Sequence, residues 1–297
     1  MKDNLKVNIL WLFLLLLGYG VISLLVSLGV LNLFHIQILE QIGINIILAV
    51  GLNLIVGFSG QFSLGHAGFM AIGAYAAAII GSRSHTYGAF FGAMLLGAII
   101  AGLVALIVGI PTLRLKGDYL AIATLGVAEI IRVALNNMKI TNGAAGISGV
   151  PLTTTWTIVY IALVLTTILV LNYVNSSAGR ATYAVLQDEI AAESVGVNTT
   201  KIKVIAFVFG AMTASIAGSL QAGFIGSVVP KDYSFINSIN VLIIVVFGGL
   251  GSITGAIVAA IVLGILNMFL QDVASVRMII YALALVLVMI FRPGGLL

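Results

Sequence analysis

The sequence predicts an all-α polytopic integral membrane protein with about ten transmembrane helices, some of them broken or interrupted by glycine. Three observations predict this class. Hydrophobic residue types make up 61% of the 297 residues, the mean hydropathy is +1.24, and only 7% of the residues are charged. A soluble domain is about a quarter charged, so this chain has too few charges to cover a water-facing surface. The composition therefore excludes a soluble enzyme, a nucleic-acid-binding protein and a disordered chain.

Apolar segments of the length that a membrane helix needs, about 20 residues, follow one another along the chain. They lie at 8–31, 36–57, 63–81, 88–110, 119–137, 155–174, 203–227, 238–249, 252–270 and 276–291. The first follows Lys2 and Lys6 and could be mistaken for a signal peptide. It is longer than a signal core and lacks a clear small-residue cleavage pattern. We therefore expect a retained first span.

The segments 238–249 and 252–270 are the least certain pair. As a single helix they would be about 50 Å long, which is too long for one crossing. The intervening Gly248-Gly249-Leu250-Gly251-Ser252 predicts a tight turn or a break. We therefore expect ten crossings, with nine as the alternative.

The positive charges favour a cytoplasmic N-terminus. With that orientation, the cations expected inside are Lys2, Lys6, Arg114, Lys116, Arg180, Lys201, Lys203 and Arg292. Those expected outside are Arg83, Lys139, Lys231 and Arg277. The bias agrees with the positive-inside rule, although it does not decide between nine and ten crossings.

Ten of the 34 glycines crowd two regions of the chain. One region covers residues 51–73, and the other covers residues 248–255. Glycine-interrupted spans in both halves of a chain are typical of the central path of a transporter. Close helix packing explains the same glycines equally well.

One hydrophilic segment stands apart from the spans. Residues 175–203 hold six charged side chains: Arg180, Asp188, Glu189, Glu193, Lys201 and Lys203. Within this segment the pattern predicts a helix over 181–195, with Gly196 at its C-terminal cap. Such a helix can dock on a partner protein, or it can be a solvated loop helix without a partner.

The same segment carries a family resemblance. Residues 189–196 read Glu-Ile-Ala-Ala-Glu-Ser-Val-Gly, which resembles the Glu-Ala-Ala…Gly loop of ABC importer permeases. The wider segment 179–198 resembles the form found in branched-chain amino acid permeases. Segments 51–75, 113–126 and 247–256 resemble further signatures of that family, and the first two look like its high-affinity M type. No Leu-Pro follows Gly196, unlike the general importer loop.

The resemblance extends over residues 40–292 and implies a single permease domain over 1–297 in the inner membrane of a bacterium, with 175–203 as its cytoplasmic coupling loop. In this family the loop sits on the ATPase subunit. The residues that the resemblance assigns to ATPase coupling are Arg180, Glu189, Ala191, Ala192, Glu193 and Gly196. The implied solutes are leucine, isoleucine and valine. The implied partners are cytoplasmic ABC ATPase subunits, a second related permease and an extracytoplasmic binding protein for amino acids.

The chain is expected to be a transport subunit and not an enzyme. The dipeptide Gly-Lys of a phosphate-binding loop does not occur in it. We therefore expect no cofactor in this chain, with ATP and Mg²⁺ used by partner subunits. The chain has no cysteine, which excludes disulfides and thiol catalysis, and no metal site is expected.

Polar side chains inside or beside the spans are the candidates for a translocation path, because they are costly in a membrane. These candidates are Asn53, Gln61, Ser63, His66, Glu129 and Gln221. They could equally hold helices together. Glu129 and Arg132, three residues apart, are expected to form an ion pair, and Glu40 is expected to reach the membrane interface.

Two alternatives remain at this point. The first is a permease of the same family for another small solute, such as urea, an amide or another amino acid. The second is a proton-coupled secondary carrier, which would need Glu129 or Glu40 for transport.

Overall fold

The computed structural model describes residues 18–29, 31–115 and 117–270, together with residues 283 and 295. The predicted span 276–291 lies outside the described residues apart from residue 283, and so do residues 8–17 of the first predicted span. The described chain is helical, which confirms the all-α class.

Eleven α-helices follow one another in the described residues. They are α1 (Gly18–Ser27), α2 (Leu33–Asn53), α3 (His66–Gly81), α4 (Tyr87–Thr112), α5 (Asp118–Asn137), α6 (Trp156–Asn175), α7 (Ser177–Gln187), α8 (Glu189–Ser194), α9 (Thr199–Ile225), α10 (Phe235–Gly248) and α11 (Ile253–Phe269). A π-helical turn, Leu54–Phe58, continues α2. Two short 3-10 turns lie at Gly143–Ala145 and Pro230–Tyr233. The strands β1 (Ile147–Ser148) and β2 (Ser227–Val228) pair antiparallel, with Ile147 opposite Val228.

The helices α2, α3 and α9 form the centre of the molecule. Helix α9 packs along α3 and α4, and α2 packs against α6, α9 and α11. The outer helices expose long apolar side chains instead. On α4 these exposed residues are Leu95, Leu96, Ile99, Ile100, Leu103, Leu106, Ile107 and Ile110. Such a continuous apolar surface fits a lipid environment and not water.

Four helices in the described residues are long and apolar enough to cross a membrane. They are α2 with its π-helical turn, α4, α6 and α9, and the bent pair of α10 and α11 makes a fifth if it counts as one span. The predicted number of about ten crossings is therefore not confirmed. Helix α3 lies where a span was expected but has only 16 residues.

The junction of α10 and α11 confirms the predicted break. The two helices are bent by 118° where they meet. With 14 and 17 residues, each is shorter than the hydrocarbon core of about 30 Å. Their geometry is that of one broken span or a re-entrant loop, and not of two full crossings.

Close packing in the centre depends on small residues. Ser219 on α9 donates a hydrogen bond from its hydroxyl to the carbonyl oxygen of Gly73 on α3, over 2.9 Å. A Cβ atom at Gly218 would collide with the carbonyl of Met70, and one at Gly73 would collide with Ser215. The backbones of α3 and α9 therefore meet directly, as in other membrane helix pairs built on small residues.

We predict that Gly218→Ala lowers the melting temperature of the detergent-solubilised protein by about 3–10 °C. The reason is that α3 and α9 would have to separate, and overpacking costs about 1–3 kcal/mol. The control is Gly92→Ala on α4, where a Cβ atom has no neighbour within 4 Å. Equal melting temperatures for the two variants would contradict the α3–α9 contact.

Candidate functional site

The first glycine-rich region is a break between α2 and α3. After the π-helical turn the chain runs through 59–65 without regular helical hydrogen bonds, and α3 begins at His66. Gly60 has φ +67°, a conformation that favours glycine. Non-helical backbone at membrane depth is tolerated only where neighbouring groups satisfy its hydrogen bonds. The break must therefore be supported by side chains from other elements.

Three hydroxyl groups supply this support at the start of α3. Thr124 on α5 accepts a hydrogen bond from the backbone N–H of Leu64 over 3.0 Å. Ser238 on α10 accepts one from the N–H of Ala67 over 2.9 Å. Ser63 accepts one from the N–H of Gly65 over 3.4 Å. The N-terminus of α3 is thus capped by α5 and α10 as well as by its own chain.

The second glycine-rich region is the break between α10 and α11. Gly249 has φ +112° and Gly251 has φ +85°, so the turn depends on glycine at both positions. The hydroxyl of Ser252 accepts a hydrogen bond from the N–H of Gly255 over 3.0 Å and caps α11.

Asn53 joins the two breaks. Its amide nitrogen donates to the carbonyl oxygen of Ser252 over 2.7 Å, and its amide oxygen accepts from the N–H of Gly251 over 2.9 Å. A Cβ atom at Gly57 would collide with both Asn53 and the backbone of Gly251. Asn53 is completely buried, so it holds the breaks together and does not line an open path in this conformation.

The other path candidates from the sequence lie in two groups. Gln61, Ser63 and His66 are all buried on the first break. The amide oxygens of Gln61 and Gln221 have no hydrogen-bond partner among the described residues. Gln221 lies farther along α9 and is only half-buried.

Glu129 and Arg132 form the ion pair that their spacing predicts. The Arg132 Nε donates to Glu129 Oε2 over 2.9 Å, and a second nitrogen also contacts the carboxylate. The Glu129 side chain is 44% exposed and the Arg132 side chain 29% exposed, so the pair is partly open to the surface of the described chain. By contrast Glu40, expected at the membrane interface, is buried within the protein at 7% exposure. The prediction for Glu40 was wrong.

The hydrophilic segment 175–203 contains two helices where the sequence predicted one helix over 181–195. Asp188 interrupts the pattern between α7 and α8, because its carboxylate accepts hydrogen bonds from the N–H groups of Ile190 and Ala191 over 2.9 and 3.0 Å. This is an N-cap of α8. The prediction of a single helix was wrong. Apolar residues continue on both sides of Asp188, so the apolar pattern alone does not show that one helix ends and another begins there.

The predicted cap at Gly196 is confirmed. Gly196 has φ +88°, its N–H bonds to the carbonyl of Glu193, and the N–H of Val197 bonds to the carbonyl of Ala192. These two bonds are the Schellman arrangement that commonly ends a helix at glycine.

The segment presents a defined surface, which we call the α8 face: Ile190, Ala191, Glu193 and Val195. Ile190 is 78% exposed and Val195 is 79% exposed. The neighbouring Ala192 is buried against the protein, and the guanidinium of Arg180 donates to the carbonyl oxygen of Asn175 over 3.1 Å. The predicted coupling residues are therefore divided between an exposed surface and supporting contacts.

The segment also contacts the first break. Lys203 pairs with Glu189 over 2.6 Å through its ammonium group, and its carbonyl oxygen accepts a hydrogen bond from the Gln61 amide over 3.0 Å. Sequence reasoning missed Lys203 at this position, and it missed the capping residues Thr124 and Ser238. A backbone carbonyl has no sequence signal, and hydroxyl residues within apolar spans are too common to single out.

Comparison with known proteins identifies a family match over most of the chain. The family model described as "Branched-chain amino acid transport system / permease component" matches residues 34–291. No solved structure gives a significant match.

Three curated relatives have similar sequences. The high-affinity branched-chain amino acid transport system permease proteins LivM of Salmonella typhimurium and of Escherichia coli are each 36% identical over 260 residues, which cover 75% of this chain and 60% of each relative. The permease protein LivH of Escherichia coli is 32% identical over 145 residues, which cover 48% of this chain and 46% of the relative. This chain thus spans less than two thirds of the LivM length and resembles LivM over a longer stretch than LivH.

We predict that Asn53→Leu lowers the melting temperature in detergent by at least several degrees. The change leaves the N–H of Gly251 and the carbonyl of Ser252 without their partner, at a cost of about 1–3 kcal/mol each. The control is Asn137→Leu, an exposed asparagine whose amide bonds only to the carbonyl of Val133 in its own helix. A loss no larger than that of the control would show that Asn53 does not hold the breaks together.

Proposed function

Because the chain belongs to the family of branched-chain amino acid permease components, we propose that it is the membrane-spanning subunit of an ATP-driven importer in a bacterial inner membrane. Leucine, isoleucine and valine are its proposed solutes. The observation that carries the ATP-driven part of the proposal is the α8 face. It presents two large apolar side chains on a capped helix outside the spans. A partner protein could bury these side chains, whereas a loop that contacts only water has no use for them.

We assign this docking to cytoplasmic ABC ATPase subunits, which would use ATP and Mg²⁺ and leave this chain without a cofactor. Glu193 provides negative charge beside the apolar residues Ile190 and Val195, whereas the charge of Glu189 is paired with Lys203. The conformation of this surface would be fixed by Ala192, the Gly196 cap and Arg180. An extracytoplasmic binding protein would deliver the solute on the opposite side of the membrane.

A second, related permease subunit would complete the transport path. The relatives support this proposal, because LivM and LivH are each named as permease proteins of a high-affinity branched-chain amino acid transport system. The exposed Glu129–Arg132 pair also supports it. Charged side chains are costly in hydrocarbon and face a protein interior or a water-filled cavity, so this side of α5 is unsuited to lipid. We therefore place Glu129 beside the path, at the contact with the second subunit.

We retain about ten membrane-embedded helices in the proposal, with the N-terminus and 175–203 in the cytoplasm. The short helices α3, α10 and α11 would then reach only part of the way through the membrane, as the broken helices of transporters do. Asn53, Gln61, Ser63 and His66 lie where these helices end, and Gln221 lies on the adjoining α9. We propose that Ser63, His66 and Gln221 border the path when the breaks open, whereas Asn53 and Gln61 hold the breaks in place through their hydrogen bonds.

Docking on the α8 face can be tested by charge substitution. We predict that Ile190→Asp reduces co-purification of the ATPase subunits by at least about 10-fold and abolishes uptake of labelled leucine, while the protein still inserts. Burying the introduced carboxylate in an apolar contact costs several kcal/mol. The control is Ile140→Asp, another exposed isoleucine in the connection between α5 and α6, which should leave co-purification unchanged. Retention of the ATPase by Ile190→Asp would contradict the docking.

The same assay separates the alternatives. ATP-dependent uptake of another small solute, with no uptake of leucine, would place the chain in the same family with a different specificity. Uptake by this chain alone, driven by a proton gradient, would identify a secondary carrier.

The orientation can be tested with single cysteines, since the natural chain has none. We predict that Ser194→Cys on α8 reacts with a membrane-impermeant maleimide only when the cytoplasmic side is accessible. Ser84→Cys, exposed after α3, should react from the outside. Reaction of both positions from the same side would refute the proposed topology.

A further inference from the structure

The short segment 59–61, which begins the first break, lies against the start of α9 and the end of α7. Gln61 is almost completely buried there. Its amide nitrogen donates to the Lys203 carbonyl oxygen over 3.0 Å and also contacts the hydroxyl of Ser59. Its backbone N–H bonds to the carbonyl of Ile55 in the π-helical turn over 3.1 Å. Gln61 therefore connects the broken backbone to the first turn of α9.

Lys203 extends this connection to the loop. Its side chain is mostly buried, and its ammonium group lies 2.6 Å from the carboxylate of Glu189 at the start of α8. A partly buried ion pair is screened less by salt than a surface pair. One residue thus contacts the loop through its side chain and the break through its carbonyl oxygen.

An apolar contact runs beside the polar one. A Cβ atom at Gly60 would lie 2.7 Å from a methyl carbon of Leu186 at the end of α7, so the break and α7 touch without a gap. The loop therefore contacts the first break directly through Leu186 of α7, and α8 reaches it indirectly, because Glu189 binds the side chain of Lys203.

The first break is in turn joined to the second by Asn53, which binds Gly251 and Ser252. Breaks in helices are positions at which large backbone changes can be absorbed during a conformational transition. A contiguous set of contacts thus runs from α8 through Lys203 and Gln61 to both breaks.

We propose that Gln61 and Lys203 form a mechanical joint that transmits movement of the 175–203 loop to the two breaks during transport. This inference rests on the proposed function, because it needs an ATPase that moves the loop. Gln61 and Lys203 are positioning residues: neither needs to touch ATP or the solute. The joint makes uptake depend on ATP hydrolysis. Without the joint, the complex would still hydrolyse ATP but would transport less leucine for each ATP.

The test uses the complete complex of both permeases and the ATPase subunits in proteoliposomes, with the binding protein and labelled leucine. Gln61→Met keeps the side-chain length and removes the hydrogen-bond donor. We expect this variant to assemble and hydrolyse ATP at a rate near that of wild type, while leucine transported per ATP hydrolysed falls about 10-fold.

Gln41→Met is the matched control for Gln61. Gln41 lies on α2, and within the described part of the chain it donates only to Asn45 in its own helix, so this variant should keep the wild-type ratio of leucine to ATP. If Gln61→Met also keeps that ratio, the joint does not exist. If it loses hydrolysis and uptake in equal proportion, Gln61 has a structural role only and the proposal is overturned.

A charge exchange tests Lys203 independently and decides the matter if Gln61→Met does not assemble. Glu189→Lys and Lys203→Glu should each lower the ratio, and the double variant should recover at least half of it, because the ion pair is restored with its charges reversed. No recovery in the double variant overturns the role of Lys203. Failure of the proposed function itself would be seen separately, since the wild-type complex would then show no ATP-dependent uptake.

Discussion

The arrangement of this protein depends on the hydrogen bonds that Asn53 makes between the two breaks, the one after α2 and the one between α10 and α11. In a membrane every backbone polar group needs a partner within the protein, and a break exposes several such groups at once. The Asn53 amide supplies one donor and one acceptor to the 251–252 turn, and the hydroxyl oxygens of Thr124 and Ser238 supply two acceptors at the start of α3. Each break is thereby stable only next to its neighbours. The glycines are needed because these backbones must approach closely.

The positions of the helices were predictable, and the contacts between them were not. An apolar run is a local property, so the predicted span 88–110 closely matches Tyr87–Thr112. The link from Asn53 to Ser252 joins positions far apart in sequence, and no local pattern indicates it. The same reason explains the error for Glu40, whose burial depends on helices elsewhere in the chain. Asp188 is different: an aspartate before a short apolar segment is a helix-start signal, and its cap on α8 could have been found.

The 175–203 loop shows how a sequence motif gains a physical meaning. The spacing of Ala191, Ala192 and Gly196 indicated a family but not which side chains face outward. The Asp188 cap and the Schellman bonds at Gly196 fix α8 at both ends, so Ala192 turns inward and Ile190 outward. Rigidity of α8 matters for the proposed docking, because a surface that a partner pushes transmits the movement only if it does not deform first.

The scarcity of charged residues also limits the kinds of contact that could transmit the proposed movement of the 175–203 loop. An ionic link within the apolar centre would carry a large desolvation cost, whereas a neutral amide costs far less and is equally directional. The chain uses each group where its cost is lowest. The Lys203–Glu189 pair lies at the loop, where both side chains keep some contact with solvent. The buried link within the breaks is made by the amides of Gln61 and Asn53. The low dielectric of the centre therefore favours an ion pair at the loop and amide hydrogen bonds within the breaks.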